Sequence, residues 1–137
     1  MKAVIDTNVM LVSISARSPW HPIFLELLRG KYTLCVTTDI LDEYAEVIEE
    51  EMSFKATEDA LEILVSLPNL QKVRKFYFWQ LIEKDPDDNK FVDCHVAANA
   101  DYLVSDDRHF RILKNIPFPK IKVIGKDAFL HVLLKNR

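Results

Sequence analysis

Residues 85–107 read DPDDNKFVDCHVAANADYLVSDD, and the fold turns on how this stretch divides. Asp85-Pro86-Asp87-Asp88 opens a helix: Asp85 suits the N-cap, Pro86 the first turn and Asp88 the capping-box position. The helix runs to about Asn99, and Asp101–Ser105 is then a short apolar strand that runs straight into Asp106-Asp107. Toward the C-terminus follow a helical turn near 109–114, a strand at 121–124 and a helix at 126–134.

Toward the N-terminus the same alternation holds. Residues 2–6 form a buried strand, and a helix starts near Thr7 and runs toward Ala16. A second helix punctuated by Pro19 and Pro22 stops at Gly30, and Tyr32–Thr37 is a β-rich strand. Thr38-Asp39 caps a helix of about 13 residues ending near Ser53. Another covers roughly 56–67, with a strand over 70–74. The aromatic run Phe76-Tyr77-Phe78-Trp79 belongs to a strand end or a loop. Strands alternating with helices predict an α/β fold, a parallel sheet with helices on both faces, in one domain spanning 1–137. In such sheets sites form beyond the carboxyl ends of the strands.

Composition removes several function classes. Two glycines leave no Gly-rich phosphate loop. Cys35 and Cys94 are far apart in apolar runs, which predicts reduced buried thiols and no zinc site. The early Asp6 argues against a signal peptide, and no apolar run reaches membrane-spanning length, so a cytoplasmic protein is expected. Net charge is −3 but unevenly spread. Residues 108–137 hold eight Lys and Arg against Asp127 alone, a charge of +7 that leaves −10 on 1–107. An acidic body beside a basic segment suits gathering cations in one place and phosphates next to it.

Two apolar strands run into acids, at Asp6 and at Asp106-Asp107, which places carboxylates on one edge of the sheet. A lone Asp there is ordinarily a turn former or cap; two shift the balance. On the helix 39–51, helical periodicity sends Asp42, Glu46 and Glu49 to solvent. Glu43 falls at the border of the buried face and so points along the protein. Asp93 sits among apolar and small residues, where a charge must be paired, neutral or metal-bound. Asp88 is accounted for by capping, although it stands near enough to assist. Carboxylates meeting at one place repel each other, and an all-oxygen donor set suits Mg²⁺ or Mn²⁺. His21, His95, His109 and His131 are scattered, and this chemistry needs none of them.

At these residues the chain resembles the PIN-domain family. Ile5-Asp6-Thr7-Asn8 is similar to the family's opening motif, and Glu43 to its helix-borne glutamate. Asp93–Ala98 and Val104–Phe110 resemble its two later acidic motifs. The resemblance covers about 1–125 and looks most like the VapC-like toxin components of prokaryotic toxin–antitoxin pairs. It implies a three-layer α/β/α fold and an endoribonuclease cutting single-stranded RNA with Mg²⁺ or Mn²⁺. It further implies a homodimer and an antitoxin encoded as a separate chain. The metal-ligand roles fall on Asp6, Glu43, Asp93 and Asp107, with Asn8 and Ser105 orienting them, and Asp88 and Asp106 beside them. Asp106 stands where glycine is common and can share the role of Asp107, and Ser105 replaces a commoner threonine. Arg108 and Arg111 would hold the RNA backbone. Trp20 and Trp79 offer stacking rings, though core packing is the commoner use of each. Two readings compete: a phosphoryl-transfer domain with an acidic pocket, and a PIN fold kept only for binding RNA or protein.

Overall fold

A computed structural model describes residues 1–75 and 77–135. Phe76, expected at a strand end or loop, and Asn136 and Arg137, counted in the basic segment, lie outside the described residues.

Five strands form one all-parallel sheet: β1 (Lys2–Ile5), β2 (Thr33–Val36), β3 (Leu70–Lys72), β4 (Tyr102–Val104) and β5 (Val123–Ile124). The helices are α1 (Thr7–Ile14), α2 (His21–Leu28), α3 (Thr38–Glu51), α4 (Phe54–Ser66), α5 (Asn89–Ala98) and α6 (Lys126–Lys135). Short 3₁₀ segments occupy Pro86–Asp88 and Arg108–Asn115. Ala3, Val4 and Ile5 in β1 and Leu34, Cys35 and Val36 in β2 are wholly buried. Consecutive residues of a strand point to opposite faces, so both faces of the sheet are covered, which is the three-layer α/β/α arrangement.

The strand order is β3-β2-β1-β4-β5. The chain moves outward from β1 through β2 to β3, then returns to lay β4 on the other side of β1. The crevice between β1 and β4 is therefore the topological switch point, where open α/β sheets place ligands. Pairing of Ile5 with Val104 sets the register, so the next residues, Asp6 and Ser105, leave the sheet side by side. The Asp6 N–H continues the ladder to the Val104 carbonyl at 3.0 Å.

Several boundaries depart from expectation. α1 stops at Ile14, because Ser15 is extended, rather than reaching Ala16. α3 takes Thr37 as its N-cap, and the Thr37 hydroxyl donates to Asp39 instead of a backbone group. The capping box at 85–88 does not form. Pro86–Asp88 winds as a 3₁₀ turn closed by the Asp88 N–H on the Asp85 carbonyl at 3.0 Å, and neither aspartate side chain caps α5. Asn89 instead ties the turn to the loop before it, with its amide bonding both N–H and carbonyl of Ile82 at 2.9 Å. Gly30 ends α2 at a φ of 78°, where a side chain would be strained. α5 buries Phe91 through His95 without interruption and packs on β1, β2 and β4. Cys35 and Cys94 are free and buried, and burial raises both thiols. Among the described residues no helix is long and apolar enough to cross a membrane.

Candidate active site

Asp6 performs two tasks. Its carboxylate caps α1, accepting the Val9 N–H at 2.9 Å, and it also accepts the Ser105 hydroxyl. The cap and the site are thus one group, and the turn-former reading of Asp6 is realised together with the functional one. Asp6 is only 5% exposed, and burial pushes its pKa up to about 6. The Ser105 and Val9 hydrogen bonds pull it down, while Asp107 and Asp106 push it further up. The acid is held where its charge is poorly solvated and beside two more of its own sign.

Ser105 also organises the second acid. Its Oγ accepts the Asp107 N–H at 3.0 Å, and Asp107 Oδ1 in turn accepts the His109 N–H at 2.9 Å. Asp106 turns the other way, to Lys126, whose N–H and Nζ lie 3.2 and 3.1 Å from Asp106 Oδ2. A Cβ on Gly125 would meet Asp106 Oδ1 at 2.4 Å, so only glycine leaves that carboxylate its place. Asp6, Asn8, Asp106, Asp107 and Lys126 line one cavity of about 260 Å³.

Asp88 joins this group through Asp107. Burial is the main cause that raises its pKa to about 6; Asp85 and Asp107 raise it further, and His109 opposes them. His109 Nδ1 lies 3.4 Å from Asp107 Oδ1, 3.5 Å from Asp88 Oδ2 and 3.9 Å from Asp85 Oδ2. Sequence reasoning explained Asp88 by capping, gave it an assisting place beside the ligands, and left His109 unused. The available signal was the i, i+3 spacing of Asp85 and Asp88, with His109 two residues beyond Asp107.

Glu43 approaches the same strand end from α3. Its Oε2 accepts the Thr7 hydroxyl, next to Asp6, and its Oε1 pairs with Lys90 Nζ at 2.6 Å. Lys90 also holds Asp87 at 2.9 Å. Glu43 is half-buried while Asp42, Glu46 and Glu49 are exposed, as the helical angles predict.

Asp93 is placed elsewhere. Its Oδ1 accepts the Trp79 N–H at 3.0 Å, and it lines a separate cavity of about 550 Å³ with Asp39, Lys75, Phe78 and Lys90. Burial raises its pKa, and the Trp79 N–H and Lys75 draw it back. Lys75 itself pairs with Asp39 at 2.6 Å. The structure brings together Asp6, Asp107, Asp88 and, through Thr7, Glu43; it does not bring Asp93 to them.

A third cavity of about 530 Å³ opens beside His109, with Lys84, Arg108 and Arg111 in its wall. Among the described residues none of these three cations has an acidic partner. Trp79 meets Phe118 edge-on and Tyr77 at a tilt, and Trp20 donates to Asp127 at 2.7 Å.

A family model of the PIN domain matches residues 2–109, most of the chain. The chain belongs to the PIN-domain family. None of the curated proteins is similar to it in sequence. Among solved structures, a chain in the crystal structure of VapBC2 from Rickettsia felis, bound to a DNA fragment from their promoter, is similar in fold. It superposes with a TM-score of 0.64 at 20% identity, over 91% of this PIN-domain chain and 98% of that one.

The donor set fits a divalent cation. Ligand atoms of Asp85, Asp88 and His109 lie within 4.8 Å of one another, and Asp88 Oδ2 is a buried acceptor with no hydrogen-bond donor. Asp6 and Asp88, each raised to about 6 and each beside Asp107, are favoured by a positive charge, and Lys126 in the Asp6 cavity is engaged by Asp106.

Proposed function

We propose that this PIN-domain protein is a Mg²⁺- or Mn²⁺-dependent endoribonuclease that cuts single-stranded RNA in the cytoplasm. The observation that carries this reading is the meeting of Asp6 and Asp107 at the β1–β4 switch point, with Asp88 joined through Asp107. Asp6, Asp107 and Asp88 would hold the cation, with Glu43 at the edge. Asp93, placed in the other cavity, is left out of the ligand set. Between the two acids after β4, Asp107 is the ligand, since Lys126 already occupies Asp106. A divalent cation there supplies charge neutralisation for the attacked phosphodiester and a lowered pKa for water.

The protein's own groups do the rest. Ser105 fixes Asp6 and Asp107 relative to each other through one hydroxyl. The α1 N-terminus steadies the Asp6 carboxylate through the Val9 N–H. Lys84, Arg108 and Arg111, without acidic partners among the described residues, would hold phosphates of the strand that leaves the acidic site. This arrangement favours RNA cleavage over the binding-only reading, because a binding module has no use for repelling carboxylates.

The likeness to a chain of a VapBC2 complex supports a toxin held by a separately encoded antitoxin. Such a partner would cover the acidic crevice, with an Arg on the carboxylates. Its test is co-purification of a small neighbour-encoded protein with the native chain, lost when Asp6 and Asp107 are replaced by Lys.

The activity is tested on a mixed pool of single-stranded RNA with Mg²⁺, Mn²⁺ or EDTA, beside Asp6→Asn. The expected result is cutting that needs the cation and disappears in the variant. A folded, partner-free protein that cuts nothing in either metal contradicts the reading.

A further inference from the structure

Resting on that cation-binding reading, we propose that His109 is itself a ligand, so that the site selects a nitrogen-seeking cation such as Co²⁺ over Mg²⁺. His109 Nδ1 is buried and accepts or donates no hydrogen bond, and Asp88 Oδ2 facing it is equally without one. Yet the ring nitrogen stands 3.4 to 3.9 Å from oxygens of three different aspartates, Asp107, Asp88 and Asp85. A histidine used only to neutralise acids points its N–H at one of them. Here it is aimed among three at ion-pair distance, with hydrogen-bond geometry to none.

The ligand atoms of Asp85, Asp88 and His109 all lie within 4.8 Å of one another, a spacing one cation can span. The ring is held there by its own backbone, since the His109 N–H is fixed on Asp107 Oδ1. One imidazole changes the chemistry of the set. Carboxylates alone suit Mg²⁺, Ca²⁺ and Mn²⁺, whereas imidazole favours the later first-row metals.

The test is calorimetric titration of the full chain with Co²⁺ and with Mg²⁺, together with the visible absorption spectrum of bound Co²⁺. Wild type is compared with His109→Ala and His109→Asp, each shown to be folded by its near-ultraviolet circular dichroism. The proposal expects Co²⁺ to bind more tightly than Mg²⁺ in wild type. Both variants should lose at least about tenfold in Co²⁺ affinity and change the spectrum, with Mg²⁺ affinity in His109→Asp undiminished. Unchanged Co²⁺ affinity and spectrum in both variants overturn the ligand role of His109 and leave the cation site standing. Failure of wild type to bind either cation overturns both. The expected metal behaviour without RNA cleavage upholds this inference and removes only the ribonuclease reading.

Discussion

Asp6 and Asp93 are buried to nearly the same extent, 5% and 3% exposed, and differ in their company. Asp6 ends a strand at the switch point and faces other carboxylates, Asp107 and Asp106. Asp93 sits on α5, with a backbone N–H from Trp79 and the Lys75 cation to settle its charge. Burial and Asp39 still raise the Asp93 pKa, but the fold sets a donor and a cation against that charge. At Asp6 the further charges are both acids, and perturbed groups of that kind mark functional sites.

The contrast is open to experiment. Asp6→Asn is expected to lower RNA cleavage by at least about a hundredfold, measured as initial rates in Mn²⁺. It should also raise the melting temperature of the metal-free protein, since it removes a poorly solvated, repelled charge while leaving an oxygen for the Val9 cap. The pH dependence sharpens this. The folded pKa of Asp6, about 6, exceeds its unfolded value near 3.8. The folded protein therefore binds more protons between these values, and the stability linked to Asp6 is full below about pH 4 and lost as pH rises through 6. Denaturation curves should show the advantage of Asp6→Asn over wild type widening from pH 4 to pH 7, by on the order of 2–3 kcal/mol. His95, whose pKa burial lowers to about 4, works in the opposite sense as pH falls below 6.5, and it cancels in this difference. At the other aspartate, Lys75→Ala should cost about 1 kcal/mol of stability in urea with cleavage rates unchanged, because it removes the cation beside Asp93 and Asp39. The smallest effect belongs to Arg111→Ala, which should reduce the salt slope of RNA binding by about one, read by fluorescence anisotropy with EDTA present.

How much of this was legible follows from the range of the interactions. The β1 and β4 ends could be read directly, since an apolar run into an acid is a local pattern and parallel register does the rest. Glu43 was legible from the helical angle alone, but its Lys90 partner, far along the chain, was not. Asp93 looked unpaired because the groups set against its charge, Lys75 and the Trp79 N–H, come from a loop with no periodic signature. Asp88 was legible only as an assisting group: Asp-Pro-Asp-Asp is a good capping sequence, and the 3₁₀ turn at Pro86–Asp88 sets the side chain near His109 and Asp107. Local pattern reveals where acids stand, and tertiary packing decides which of them are balanced.

The most direct measurement is therefore a paired one, the rate of single-stranded RNA cleavage in Mn²⁺ by Asp88→Asn and by Asp93→Asn, each checked for folding. Asp88→Asn should lose at least about a hundredfold while Asp93→Asn stays within about threefold of wild type. The reverse order, a silent Asp88→Asn and a dead but folded Asp93→Asn, would contradict the assignment of the site to the β1–β4 crevice.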